Sequence, residues 1–152
     1  MKKGDFLLVG FGHNDEKAES GRYTNPNGDY KTAGSFANSL YENYIKPAQA
    51  AGTTVVLCTP IVRRTADGNW SDSQLHVTAA SGEFEGGSYP QAIINLGKDL
   101  NVPVVDMTSL TKKLYDSLGA AETVNLHAWT SSKPESCLLY TSPSPRDYGE
   151  SR

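Results

Sequence analysis

The sequence predicts an α/β fold with a parallel sheet, because two patterns alternate along it. Runs of mostly apolar residues predict buried strands at 5–11, 53–59 and 102–106. Between these runs, at 32–50 and 89–99, apolar residues recur at the spacing of helices. Strand, helix, strand, helix, strand is the order of a parallel sheet with right-handed crossovers. A three-layer, flavodoxin-like α/β fold is therefore expected.

The first run, 5–11, predicts a strand that is covered on both faces, because its apolar residues do not alternate with polar ones. The run breaks off at Gly12, which permits a tight exit from the strand. Open α/β sheets bind ligands at the carboxyl ends of their strands. We therefore expect the polar residues that follow Gly12 to lie at a ligand site.

The apolar spacing predicts three helices. The first covers 32–50, stops at Gly52 and is expected to kink at Pro47. The second covers 89–99 and the third 108–118. Their apolar faces consist of Phe36, Leu40, Tyr44, Ile45 and Ala48 in the first helix, Tyr89, Ala92, Ile93 and Leu96 in the second, and Leu110, Leu114 and Leu118 in the third.

The composition argues against several classes of function. The 152 residues carry a net charge of −3, and their basic clusters are short, which gives no sign of nucleic-acid binding. No apolar stretch approaches the roughly 20 residues that cross a bilayer, so no membrane partner is expected. The three histidines lack the spacing of a zinc site, and no metal is predicted.

No cofactor is predicted either. The Gly-x-Gly at 10–12 is half of a dinucleotide-binding motif. Asp15 stands at the position of the third glycine, however, and its negative charge would repel a pyrophosphate. The glycines are therefore interpreted as part of a strand exit.

The run Gly-His-Asn-Asp at 12–15 allows two interpretations. Asn and Asp after a glycine are typical of an ordinary turn, since both tolerate unusual backbone angles. A side-chain N–H of Asn14 at the end of a strand is also suited to stabilise an oxyanion, which contributes about 3 to 4 kcal/mol in acyl transfer. Asn14 is the first candidate catalytic residue, and Gly12 supplies the strand-exit turn of the same block.

This run and the strand before it resemble the third conserved block of the SGNH (GDSL-type) hydrolases, in which the Asn is an oxyanion-hole donor. The resemblance covers roughly residues 3–130 and implies an O-acetyl ester hydrolase that acts on acetylated pectic polysaccharide, such as rhamnogalacturonan, by a Ser-His-Asp mechanism. Four further runs, in the family's order and at about its spacing, narrow the resemblance to the rhamnogalacturonan acetylesterase-like branch: 59–64, 87–92, 102–108 and 114–119.

The resemblance also implies residues that this sequence does not contain. An SGNH hydrolase takes its Ser nucleophile from a Gly-Asp-Ser block and its general base from an Asp-x-x-His block, and neither occurs here. His127 lies in a segment that resembles one ahead of the second block, so it is not assigned as the base. We expect a partial SGNH domain at 1–132, incomplete at both ends, which does not turn over substrate on its own.

The remaining residues, 133–152, show no helical or strand period. They resemble translated sequencing-adapter read-through, and a natural Ser- and Pro-rich disordered tail is the alternative. Under both interpretations they do not belong to the fold. The resemblance also places a further central strand beside 5–11, so the isolated chain is expected to expose an apolar edge and to be marginally stable.

Candidate substrate-binding residues lie in two loops, 15–31 and 60–87, at the same end of the sheet as Asn14. Arg63 could pair with the carboxylate of a uronic acid, and an internal salt bridge is as consistent with its position. The other candidates could contact a sugar or pack the loops together: Trp70 and His76, with Tyr23 and Phe84.

A second class of function stays open at this point. It is a non-catalytic carbohydrate-binding or structural α/β domain. The predicted partner is an acetylated polysaccharide or oligosaccharide. The resemblance suggests a secreted or periplasmic protein, whereas the chain itself predicts neither a compartment nor an oligomeric state.

Overall fold

The computed structural model describes residues 1–17, 21–78 and 83–127. The described part has an α/β fold with a parallel sheet, which confirms the predicted fold class. The tail predicted at 133–152 lies outside the described residues. The strands stand side by side in the order in which they occur along the chain: β1 (Phe6–Gly10), β2 (Thr54–Cys58) and β3 (Val104–Val105).

The third strand is shorter than predicted because the residues around it have other partners. The Val102 N–H donates to the Gly97 carbonyl at 2.8 Å, which belongs to the end of the preceding helix. Pro103 has no N–H to give to a ladder. Asp106 accepts a hydrogen bond from the Ser109 N–H at 3.1 Å and so begins the following helix.

The α-helices of the described residues lie close to the predicted positions. The first predicted helix is a continuous helical segment in which two α-helical parts are joined by a π-helical turn, Tyr41–Ile45. These parts are α1 (Phe36–Leu40) and α2 (Lys46–Ala50), and the later helices are α3 (Tyr89–Leu100) and α4 (Met107–Glu122).

Local sequence explains both the start and the distortion of the first segment. It begins at Phe36 rather than at 32, because the Ser35 hydroxyl accepts a hydrogen bond from the Asn38 N–H at 3.0 Å. Pro47 cannot donate to a carbonyl in the preceding turn. The turn before it widens, and the Lys46 N–H donates to the Tyr41 carbonyl five residues back.

One face of the sheet carries the hydrophobic core. Alternate strand residues, Val9, Val55 and Leu57, are buried against α1, α2 and α3. The predicted apolar face of the helix at 89–99 is buried, with Tyr89 at its start packed edge-on against the Phe36 ring at 5.1 Å. The core therefore joins the sheet to α3, the helix that follows the loop after β2.

The other face of β1 is open among the described residues. Phe6 and Leu8 are 71% and 68% exposed, although the sequence predicts a strand covered on both faces. Consecutive apolar residues indicate that both faces of a strand are covered, but they do not show which segment covers each face.

The leucine stripe of α4 does not face the core. Leu110, Leu114 and Leu118 are 55%, 45% and 38% exposed, whereas Thr108 and Tyr115 are the buried residues of this helix. α4 is tied to the end of β2 by polar contacts, in which the Thr59 hydroxyl donates to Asp106 Oδ1 at 3.0 Å. No helix in the described part of the chain is long and apolar enough to span a bilayer.

Candidate active site

The chain turns sharply after β1 at Gly12, which is buried and has a φ of +109°. A Cβ at this position would lie 3.2 Å from Pro60 Cγ and 3.4 Å from Tyr89 Cβ, so both the backbone angle and the space require glycine. The Gly12 N–H donates to Asp15 Oδ2 at 2.9 Å. This bond closes residues 12–15 into a compact corner, which we call the Asn14 corner.

Tyr89 attaches the Asn14 corner to the first residue of α3. Its hydroxyl lies 2.7 Å from the Asp15 carbonyl and 2.6 Å from the Thr24 carbonyl, and it donates its proton to these acceptors. Burial raises the pKa of the Tyr89 hydroxyl, so this group stays a donor. Burial also raises the pKa of Asp15, and the hydrogen bond from Gly12 opposes that shift.

Asn14 lines a cleft of about 370 Å³ at the carboxyl end of β1. The cleft is formed by residues 10–15 and by Arg22 of the following loop. Arg22 was not a candidate in the sequence, because it lies in a polar loop with no motif around it. The described residues lining the cleft include no hydroxyl or thiol side chain. Their polar side chains are the neutral amide of Asn14 and the groups of His13, Asp15 and Arg22.

Arg63 lies next to the Asn14 corner but faces protein groups. Its Nη1 forms an ion pair with Glu16, its Nη2 donates to the His13 carbonyl, and its Nε donates to His13 Nε2 at 3.1 Å. Because His13 Nε2 accepts this bond, the His13 ring is neutral with its proton on Nδ1. Displacement of water around the ring and the charge of Arg63 lower the pKa of His13 to about 4.

His76 is fully buried, and both of its ring nitrogens face protein acceptors. Nε2 lies 2.7 Å from the Ile61 carbonyl and Nδ1 lies 3.3 Å from Glu16 Oε2. Its backbone has a φ of +62°, which is uncommon outside glycine. His76 is not among the described residues that line the Asn14 cleft, and its role as a sugar contact stays a prediction.

Trp70 lies apart from the Asn14 cleft. Its indole N–H donates to Asp116 Oδ1 of α4 at 2.8 Å, and its ring packs edge-on against Tyr115 at 5.4 Å. It lines a second hollow of about 520 Å³ with residues such as Lys112. The structure therefore brings Gly12, Asn14 and Arg63 together and leaves Trp70 at another place on the surface.

The aromatic residues of the two long loops pack against each other. The rings of Tyr23 and Phe84 lie 4.7 Å apart, so they join the loop after β1 to the loop before α3.

His127, which was not assigned as a base, lies with its Nε2 2.8 Å from the Tyr115 hydroxyl. Burial and the charge of Arg64 lower the pKa of His127.

An α/β fold with an Asn-bearing corner at the carboxyl edge of its sheet is the arrangement expected of an SGNH-type hydrolase. No protein-family model matches the chain. The chain is 35% identical over 129 residues to the rhamnogalacturonan acetylesterase RhgT of Bacillus subtilis (strain 168). The match covers 85% of this chain and 47% of RhgT, so the chain spans about half the length of this curated relative.

A solved structure shows the same fold. The crystal structure of protein YxiM from Bacillus subtilis superposes with a TM-score of 0.54 at 21% sequence identity, covering 88% of this chain and 32% of YxiM. The chain is thus similar in sequence to a rhamnogalacturonan acetylesterase over most of its length, and the resemblance predicted from its sequence is confirmed.

Proposed function

We propose that this chain forms part of the catalytic domain of an O-acetyl esterase acting on acetylated pectic polysaccharide such as rhamnogalacturonan. The observation that carries the proposal is the position of Asn14, in a hydrogen-bonded corner that lines a cleft at the carboxyl end of β1. The relationship to RhgT supports the reaction class, since its name specifies an acetylesterase for this polysaccharide.

In the proposed reaction, a Ser activated by a His-Asp pair attacks the acetyl carbonyl, and the Asn14 amide donates a hydrogen bond to the oxyanion that forms. Because the bonds of Gly12 and Tyr89 fix the Asn14 corner beforehand, little reorganisation is needed as the charge develops. One such donor contributes about 3 to 4 kcal/mol to the transition state. The Ser and the His-Asp pair belong to blocks that this sequence does not contain.

The lining of the cleft includes a cation, Arg22, and the carboxyl group of Asp15. Arg22 lines the cleft, whereas Arg63 is not among the described residues that line it. We therefore propose Arg22 for the uronate contact that the sequence suggested for Arg63. An arginine suits this role because it can bind a carboxylate through two parallel hydrogen bonds.

The non-catalytic carbohydrate-binding domain is the second candidate, and one observation favours it. The described lining of the cleft holds the Asn14 amide, the Asp15 carboxyl and Arg22, but no hydroxyl or thiol nucleophile. Such a cleft would bind an acetylated sugar without cleaving it.

Two assays on the purified chain test the proposal. We expect the chain to release no acetate from acetylated rhamnogalacturonan above a buffer blank. If the chain did release acetate, and Asn14→Ala abolished this activity, the nucleophile would lie within this chain and the proposal would be contradicted. We expect a galacturonate-containing acetylated oligosaccharide to shift the NMR signals of Asn14. Arg22→Gln should weaken this binding about tenfold while Lys112→Gln, beside the Trp70 hollow, leaves it unchanged. Equal effects of the two variants would contradict the role of Arg22.

A further inference from the structure

Three ionisable side chains meet beneath the Asn14 corner although they come from three separate segments. Glu16 follows β1, Arg63 follows β2 and His76 precedes α3. Their side chains are 11%, 26% and 0% exposed, which is unusual for charged groups unless they are paired. We call these residues the Glu16 cluster.

Glu16 joins the cluster by using both carboxylate oxygens. Oε1 forms the ion pair with Arg63, and Oε2 lies 3.3 Å from His76 Nδ1. His76 in turn holds the loop after β2, because its Nε2 lies 2.7 Å from the Ile61 carbonyl. The cluster thus ties the ends of two strands to the loop that leads into α3.

The cluster holds the chain on both sides of Asn14. On one side, Arg63 donates to the carbonyl and to the ring of His13, the residue directly before Asn14. On the other side, it pairs with Glu16, two residues after Asn14. A planar guanidinium has donors for all three contacts at fixed angles, which a lysine ammonium does not reproduce.

The left-handed backbone of His76 also indicates that the surroundings of the Asn14 corner hold it in one conformation. A non-glycine residue keeps a φ of +62° only where its surroundings determine the conformation. Here the Ile61 and Glu16 contacts fix the ring, and the Tyr89 N–H donates to the His76 carbonyl at 3.2 Å. The same Tyr89 holds the Asp15 carbonyl through its hydroxyl, so the strained residue and the Asn14 corner share a support.

We propose that Glu16, Arg63 and His76 are positioning residues that do not contact the substrate. They fix the Asn14 corner by holding His13 on one side of Asn14 and the chain at Glu16 on the other. The inference rests on the proposed role of Asn14 as oxyanion donor. It assigns Arg63 and His76 a different task from the substrate contacts that the sequence suggested.

NMR spectroscopy of the full chain tests the cluster without any need for turnover. The ring nitrogen signals of His13 and the side-chain amide of Asn14 report on the two sides of the corner. Arg63→Met should raise the titration midpoint of His13 from about 4 toward 6.5 and shift the Asn14 amide signals. Glu16→Gln should shift the His76 ring signals and the same Asn14 signals.

Two further variants separate positioning from charge and from general damage. Arg63→Lys keeps the positive charge but loses the planar guanidinium. It should therefore lose the hydrogen bonds to His13 and shift the Asn14 amide signals as Arg63→Met does. Lys46→Met removes an exposed ion pair with Glu42 on the first helical segment and should change neither signal. Asn14 signals that stay in place in Arg63→Met and Glu16→Gln, with a dispersed backbone spectrum, would overturn the proposal.

Added galacturonate separates this proposal from the proposed function. We expect it to leave the Nε–H signal of Arg63 unchanged. A galacturonate-induced shift of that signal, lost in Arg63→Met, would show that Arg63 contacts the ligand and would overturn the positioning role. Failure of galacturonate to bind at all contradicts the proposed substrate, whereas the response of Asn14 to the cluster variants decides the positioning role by itself.

Discussion

Gly12 and Asn14 divide the work of the Asn14 corner at the scale of single residues. Gly12 provides a backbone angle that side-chain-bearing residues rarely adopt, and its N–H is held by Asp15. Asn14 can then present its amide to the cleft without being the residue that makes the turn. The chemistry therefore depends on a neighbour that has no side chain.

Gly12→Ala is expected to destabilise the chain by about 1 to 3 kcal/mol, because alanine is strained at a φ of +109° and its Cβ would crowd Pro60. Urea unfolding followed by circular dichroism measures the change. Gly21→Ala is the matched control, since a Cβ at Gly21 meets no atom within 4 Å. Equal unfolding midpoints for the two variants would be inconsistent with this geometry.

The ring of His13 makes stability depend on pH. Its pKa is lowered from 6.5 to about 4 in the fold, so the unfolded chain binds a proton at higher pH than the folded chain. The His13 contribution is therefore fully present above pH 6.5 and is lost as the pH falls toward 4. We expect the free energy of unfolding to fall across this window and the fall to be smaller in His13→Gln. Parallel pH profiles for the two proteins would contradict the lowered pKa.

At the scale of elements, patterns in the sequence predict the features that residues close along the chain determine, such as the position of a strand or helix. The consecutive apolar runs place β1 and β2 correctly, and the spacing of Ala92, Ile93 and Leu96 predicts the buried face of α3. The leucine stripe of α4 has the same spacing but lies outward. Periodicity shows that a helix has an apolar face without showing what covers that face.

The candidate site divides in the same way. Gly12 and Asn14 stand out in the sequence because they are adjacent and follow a strand. The partners of the Asn14 corner are distant in sequence, as with Tyr89 and Asp15 or His76 and Glu16, and no local pattern marks them. Arg63 was visible as a residue, but the choice between a substrate contact and an internal ion pair required the position of Glu16.

A pair of leucine substitutions tests the assignment of helix faces. Leu96→Ala in α3 should cost about 2 to 5 kcal/mol, because Leu96 is 2% exposed within the core. Leu114→Ala in α4 should cost well below half as much, because Leu114 is 45% exposed. The two free energies of unfolding, measured under identical conditions, would be similar if the α4 stripe faced the core.

At the scale of the whole molecule, the described residues leave one face of β1 open. Phe6 and Leu8 stand on the open face of β1, and the chain spans about half the length of RhgT. Large exposed apolar groups on a strand promote association between copies. The predicted marginal stability of the isolated chain rests on a different feature, the unpaired edge of β1, and stays a prediction.

Replacing the two exposed residues of β1 should make the isolated chain more soluble. We expect Phe6→Thr together with Leu8→Lys to reduce self-association, measured by sedimentation velocity, and to lower the binding of a hydrophobic dye. Leu7 and Val9 on the covered face are left intact, so the core is kept. Unchanged sedimentation would show that this face does not drive association.

The most direct test of the central claim is the kcat of a chimera in which the 129 matched residues of this chain replace their counterparts in RhgT. With acetylated rhamnogalacturonan as substrate, Asn14→Ala in this chimera should lower kcat by roughly 100- to 1,000-fold. The exposed substitution Asn43→Ala should leave kcat unchanged, and the melting temperatures of both variants should match that of the parent. A kcat for Asn14→Ala equal to that of the parent chimera would remove Asn14 from the oxyanion hole.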